Sequence, residues 1–131
     1  MANDELCWMP AADLAVGIAR KKFSPVEVVD AVLTRIAKLK TLNAYVTVDA
    51  EGARKAARAA ERAVMKKGRR LGPLHGVPFS VKDLVITRGV RTTFGTPFYR
   101  DHVPTEDAPM VERLKMAGGI MIGKTNTPTF G

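Results

Sequence analysis

The stretch from Asp107 to Pro128, DAPMVERLKMAGGIMIGKTNTP, constrains this chain more than any other. Asp107 is placed to cap a helix, Pro109 suits its first turn, and Gly118-Gly119 stops it. Ile120-Met121-Ile122-Gly123 then reads as a short buried strand, and the remaining KTNTPTFG leaves it as a loop.

The same stretch contains GGIMIGKT, which satisfies the phosphate-loop pattern G-x-x-x-x-G-K-[ST]. A phosphate loop needs a strand before its first glycine, an irregular loop of inward-pointing N–H groups, and a helix starting at the Lys-Thr pair. Here a helix comes first and a strand occupies the loop positions. Thr127 precedes Pro128 where a helix would have to propagate, and a residue before proline avoids helical angles. The glycines are read as a helix stop, and nucleotide binding through this run is not expected.

The preceding residues supply helices. One is expected over 11–21. In FSPVEVVDAVLTRIAKLK, Ser24 is an N-cap, Pro25 occupies the first helical position, and Glu27 completes a capping box. Val29, Val32, Ile36 and Leu39 form the expected buried stripe of that helix. NAYVTV reads as a short strand. ARKAARAAERAVMKKGRR reads as a helix whose Ala53, Ala56, Ala57, Ala60 and Val64 face inward, ended by Gly68 and Gly72-Pro73. Val77, Phe79 and Val81, continued by Leu84, Val85 and Ile86, suggest a strand. RGVRTTFGTPFYRDHVPTEDAP is mostly loop. No internal repeat is present.

With 131 residues, 46% of them apolar, the chain has the size of one domain and enough material for a core. No apolar run approaches the ~18 residues needed to span a bilayer, and the first residues lack a signal-peptide pattern. Cys7, the only cysteine, cannot form an internal disulfide and fits a reducing, cytoplasmic setting. His75, His102 and Cys7 are too widely spaced for a metal site, and no cofactor is expected. The net charge of +8 raises nucleic acid as a partner. Much of the excess lies on the alanine-rich helix, where Arg54, Lys55, Arg58, Arg62 and Lys66 fall largely off the apolar stripe. A solvated helix face is the simpler and favoured reading of them, and no aromatic residue interleaves them to stack bases.

Candidate chemistry is sparse. The chain has two serines, and Ser24 is explained as a cap. Ser80 and Lys82 lie two apart on the expected strand and would share a face, but no Gly-x-Ser-x-Gly turn is present. Lys82 emerges from an apolar strand beside Asp83. It is either an end-of-strand lysine paired with an acid or a desolvated base. A free lysine titrates near ~10.4, so lowering it to about 7 needs a bias of ~4–5 kcal/mol against the ammonium, which requires burial.

GPLHGVPFSVKDLVITRGVRTTFGTP, followed by TEDAPMVERLKMAGGIMIGKTNTPTFG, resembles the amidase signature family. The resemblance is strong from Gly72 to Gly131, and the helical 24–70 region fits the family's usual N-terminal part. It implies an α/β fold: a mixed sheet with helices on both faces, of which this chain is the N-terminal portion, with helices over about 11–70 and the sheet and lysine region over about 71–131. It implies a catalytic triad of nucleophilic serine, cis-peptide serine and lysine, and the SVKD string makes Lys82 the lysine. Neutral lysine would relay a proton through the second serine while the first attacks an amide carbonyl. Amine then leaves and water releases the acid.

The family's Gly-Gly-Ser-Ser-Gly-Gly region does not occur in these residues, and neither Ser24 nor Ser80 has a glycine-rich setting. The resemblance therefore implies a truncated amidase, acting in its complete form on a small-molecule amide, whose 131 residues alone are inactive. Thr129 replaces a usually acidic family residue, which removes an expected ion pair. Unpartnered strand edges imply self-association, in the simplest case a dimer. Two further expectations remain open: a non-catalytic module binding RNA through the basic helix, or an interaction subunit completed by a partner carrying the serines.

Overall fold

The computed structural model describes residues 4–131. Its elements are α1 (Ala11–Ala19), α2 (Pro25–Lys38), β1 (Tyr45–Val48), α3 (Ala50–Met65), β2 (Pro78–Lys82), α4 (Pro109–Met116) and β3 (Ile120–Thr125). The three strands form one mixed sheet in the order β1-β3-β2. β3 is central, antiparallel to β1 and parallel to β2.

Helices cover both faces of this small sheet. On one face, Ile120 and Ile122 of β3 pack with Val29 and Leu33 of α2 and with Ala53, Ala57 and Ala60 of α3. On the other, Met121 packs with Val81 of β2, Val111 of α4 and Val90 of the long loop. The alternation of Ile120, Met121 and Ile122 thus serves two layers at once. A third cluster joins Leu14 and Ile18 of α1 to Val28 of α2 and Val77.

Local chemistry explains most boundaries. The capping box forms as the sequence implies: the Glu27 N–H donates to Ser24 Oγ at 3.1 Å, and the Ser24 N–H to Glu27 Oε2 at 2.7 Å. α1 stops two residues earlier than expected, because Lys21 turns to φ 58° and the Lys22 N–H closes back on the Gly17 carbonyl at 2.9 Å. The inner stripe of α3 is Ala53, Ala57, Ala60 and Ala63; Ala56 is exposed. Asp107 does not cap α4, whose N-cap is Ala108. Its carboxylate instead accepts from the Arg88 N–H at 2.7 Å and from Lys115 Nζ at 2.9 Å. Burial alone would raise its pKa, but these bonds outweigh that and hold it below the usual aspartate value.

The expected stripe of α2 is only partly buried. Val29 is fully enclosed, but Leu39 is 41% exposed. Val32, Ile36 and Leu39 line an open groove of about 690 Å³ beside β1, together with Leu42 and Val48. The run that imitates a phosphate loop is a helix stop followed by strand. Gly118 takes φ 92°, the Gly119 N–H returns to the Leu114 carbonyl at 3.0 Å, and β3 begins at Ile120.

At Gly123, β3 lies tight against β1. A Cβ there would lie 2.4 Å from the Thr47 carbonyl oxygen and 3.1 Å from Val48 Cα. Both obstacles are backbone and cannot swing away. Gly123→Ala is therefore expected to destabilise the chain by about 1–3 kcal/mol, the typical range for forcing extra carbon into a packed interior. Urea denaturation followed by circular dichroism checks this.

Candidate active site

The candidate site lies where β2 and β3 run side by side, Val81 opposite Lys124 and Lys82 opposite Thr125. β2 ends at Lys82, well short of the expected Ile86. Asp83 turns the chain inward: its N–H donates to the Thr125 carbonyl at 3.0 Å, while its own carbonyl accepts from the Phe94 N–H at 3.0 Å. The Val85 N–H then closes a turn onto the Lys82 carbonyl at 3.0 Å.

Asp83 and Lys124 are both fully buried. The Asp83 carboxylate accepts from the Thr93 N–H at 3.1 Å and, in a short bond, from the Thr93 hydroxyl. Lys124 Nζ donates to the Val85 carbonyl and to Thr92 Oγ1, both at 2.7 Å, and lies 3.5 Å from Asp83 Oδ1. A buried ammonium is tolerable only with such partners. Desolvation lowers the Lys124 pKa from its ordinary 10.5, and the neighbouring Asp83 charge offsets part of that effect. Four side chains thus tie the end of β2 to β3 and to the start of the long loop.

Lys82 is not in this interior. It is exposed, on the opposite side of the strand from Asp83, so the desolvation that would make it a base is not provided by these residues. Ser80 shares its face and is exposed too. The Ser80 hydroxyl lies 2.5 Å from the Tyr45 phenol, and no hydrogen bond joins it to Lys82 among the described residues. The buried lysine of this region is Lys124, which has no exposed surface.

Sequence reasoning missed Lys124 because it placed the residue in a loop. β3 in fact continues to Thr125. Its register with β2 skips Ile122, and this bulge resets the alternation so that Lys124 falls on the side of Met121 and Val81. Arg91 was missed as well. Its guanidinium donates to the Val46 carbonyl and Thr47 Oγ1 of β1, each at 3.1 Å, and so holds the long loop against the sheet.

Both histidines are structural. His75 Nε2 lies 2.9 Å from the Ala60 carbonyl, and His102 Nδ1 lies 3.0 Å from the Thr92 carbonyl while its ring stacks on Phe94. Thr129 spends its hydroxyl on the Gly95 carbonyl at 3.0 Å, a neutral tether in place of the ion pair considered for this loop. Among the described residues, no three His, Cys, Asp or Glu side chains gather as a metal site, and no helix is long and apolar enough to cross a membrane.

The amidase family model matches residues 27–131, most of the chain and all of this site. The chain belongs to the amidase family. It is 39% identical over 132 residues to an acylamidase of Rhodococcus erythropolis, covering all of this chain and 28% of that protein. It is 42% identical over 127 residues to one subunit of the glutamyl-tRNA(Gln) amidotransferase of an Anaeromyxobacter strain, covering 96% of this chain and 26% of that one. Its fold superposes on a bacterial aryl acylamidase of the amidase signature enzymes with a TM-score of 0.87 at 30% identity, covering 95% of this chain and 26% of that structure. The chain thus spans about a quarter of the length of these relatives, and its mixed sheet between helices is the corresponding part of the amidase signature fold.

Lys124→Met would leave Asp83 with an uncompensated charge and the Val85 carbonyl without its donor. A loss of about 3–5 kcal/mol is expected, the usual cost of breaking a buried pair from one side. Asp83→Asn in the same chain should restore part of it. The pH dependence has a definite sign. Because the folded-state pKa of Lys124 is depressed, the unfolded chain binds more protons between that value and 10.5, so this group's contribution to stability rises with pH across the window. Urea titrations from neutral pH to about pH 10 should show the native chain gaining stability relative to Lys124→Met.

Proposed function

We propose that this chain is the lysine-bearing N-terminal part of an amidase that cleaves a carboxylic amide to an acid and ammonia or an amine, with Lys82 as the lysine of a Ser–cisSer–Lys triad. The observation that carries this reading is the placement of Lys82 at the end of β2, next to the buried Asp83–Lys124 pair, within the region matched by the family. The backbone at Asp83, next to Lys82, is pinned by Thr125 and Phe94, and the Lys82 side chain is exposed at the strand end. A structure packed over that strand end would supply both the desolvation and the serines.

The 131 residues do not complete this chemistry by themselves. Ser24 is committed to the capping box, and Ser80 sits in a regular strand against Tyr45. Among the described residues, the only hydrogen-bond partners of the two hydroxyls are the Glu27 N–H and the Tyr45 phenol. The acyl-transfer relatives favour an amide substrate class for the parent enzyme, in the cytosolic setting that the single Cys7 suits. β1 and β2 are the two outer strands of the sheet, and among the described residues each has one edge unpaired by another strand. These edges support self-association as a dimer.

Three results are expected. The isolated chain releases no ammonia from aliphatic or aromatic amides, and at micromolar concentration it sediments as a dimer. A chimera in which residues 27–131 replace the matching part of the Rhodococcus acylamidase hydrolyses amides, and Lys82→Ala in that chimera lowers the rate by at least about 10³-fold. A chimera that keeps its rate after Lys82→Ala would refute the catalytic role. A monomeric chain would refute the edge-pairing role.

A further inference from the structure

We propose that the outward face of α3 and the turn that follows it bind the phosphate backbone of double-helical nucleic acid. The first observation is how unevenly the charge is distributed. Between Arg54 and Arg70 there are eight cations and one acid, Glu61, which is seven of the chain's eight excess positive charges. The rest of the chain is nearly neutral, with thirteen cations against twelve acids. Net charge spread over a surface chiefly aids solubility, whereas charge gathered on one element creates a local field.

The second observation is geometric. α3 buries only alanines, Ala53, Ala57, Ala60 and Ala63, and these set the helix against α2 and β3. That anchoring turns Lys55, Arg58, Arg62 and Lys66 outward, all exposed. From Lys55 to Lys66 the row runs about 16 Å along the helix axis at ~1.5 Å per residue. A duplex carries about ten phosphate charges over the same length, at one per ~1.7 Å. Arg69 and Arg70, also exposed, extend the row beyond Gly68. Arg54 is held by Asp30 at 2.8 Å, but none of the other cations has a carboxylate within ion-pair distance among the described residues. They are free to meet phosphate without first breaking an internal contact.

The chemistry of the face selects among polyanions. No aromatic residue lies between Ala50 and Gly72, so unpaired bases have nothing to stack on, and a duplex that offers only its backbone suits the face better. A membrane-lying helix must insert an apolar face, but the apolar face of α3 is already buried in the core. The exposed apolar residues between the outward cations are Ala56, Ala59 and Met65. Arginine supplies most of the row and can engage two phosphate oxygens at once. The contact reads no bases, so RNA and DNA duplexes share the chemistry, and backbone shape decides between them. Lys82 is not part of this surface, and the proposal does not depend on amide hydrolysis.

The test is fluorescence anisotropy with a labelled 20-base-pair RNA duplex and a DNA duplex of the same sequence, using the native chain. Binding to at least one duplex is expected at 50 mM salt. It should weaken roughly 250-fold by 200 mM, as four to five neutralised phosphates require. Arg58→Glu with Arg62→Glu should lower affinity at least tenfold, and Arg58→Gln with Arg62→Gln should flatten the salt dependence by about two phosphates. A control pair with the same change in net charge, Lys38→Glu with Arg113→Glu, should change affinity less than threefold. The proposal is overturned if neither duplex binds at 50 mM salt, or if the control pair weakens binding as much as the α3 pair. It is also overturned if phosphatidylserine vesicles bind while both duplexes do not.

Discussion

The ammonium of Lys124, enclosed with the carboxylate of Asp83, is the constraint around which this structure is arranged. An ammonium and a carboxylate withdrawn from water together cost several kcal/mol each unless their hydrogen-bonding capacity is met. Here it is met by groups from four places in the sequence: the end of β2, the turn at Val85, the loop at Thr92 and Thr93, and β3 itself. Long loops are normally held loosely. This one is drawn against the sheet because its threonines are needed there, and Arg91 ties it to β1 as well.

The position of Lys82 follows from that arrangement. Asp83 must face inward to reach Lys124, so Lys82, one residue earlier on a strand, must face the other way. The Asp83 backbone is pinned on both sides, by Thr125 and by Phe94. Lys82 is therefore a flexible side chain on a rigid mount. The role proposed for Lys82 requires a base held at a fixed point and shielded from water. The mount is present in this chain, and the Lys82 side chain itself is exposed.

The sequence made some of this legible and concealed the rest, for physical reasons. Local signals were reliable where the deciding interactions are local. The Ser24–Glu27 capping box, the Gly118-Gly119 stop and the rejection of the phosphate loop depend only on near neighbours in the chain. The family membership was legible because long ordered strings, SVKD among them, carry it in neighbouring residues. Lys124 was hidden because its partners lie 32 to 41 residues away in sequence and because a bulge at Ile122 shifts the strand alternation. β2 read as too long because Leu84, Val85 and Ile86 look like strand, while the buried Asp83 bends the chain away. Leu39 read as core, but it is 41% exposed and lines an open groove.

Amide hydrogen exchange at the Asp83, Thr93 and Phe94 N–H groups tests the account most directly. All three bonds converge on the buried Asp83 or on its strand partner Thr125. If the pair organises the fold, these amides exchange only through global unfolding, as slowly as the slowest amides of β3, although they lie at a strand end and in a loop. Exchange as fast as at an exposed turn, with β3 still protected, would show that the strand end opens independently and that Lys82 has no fixed mount.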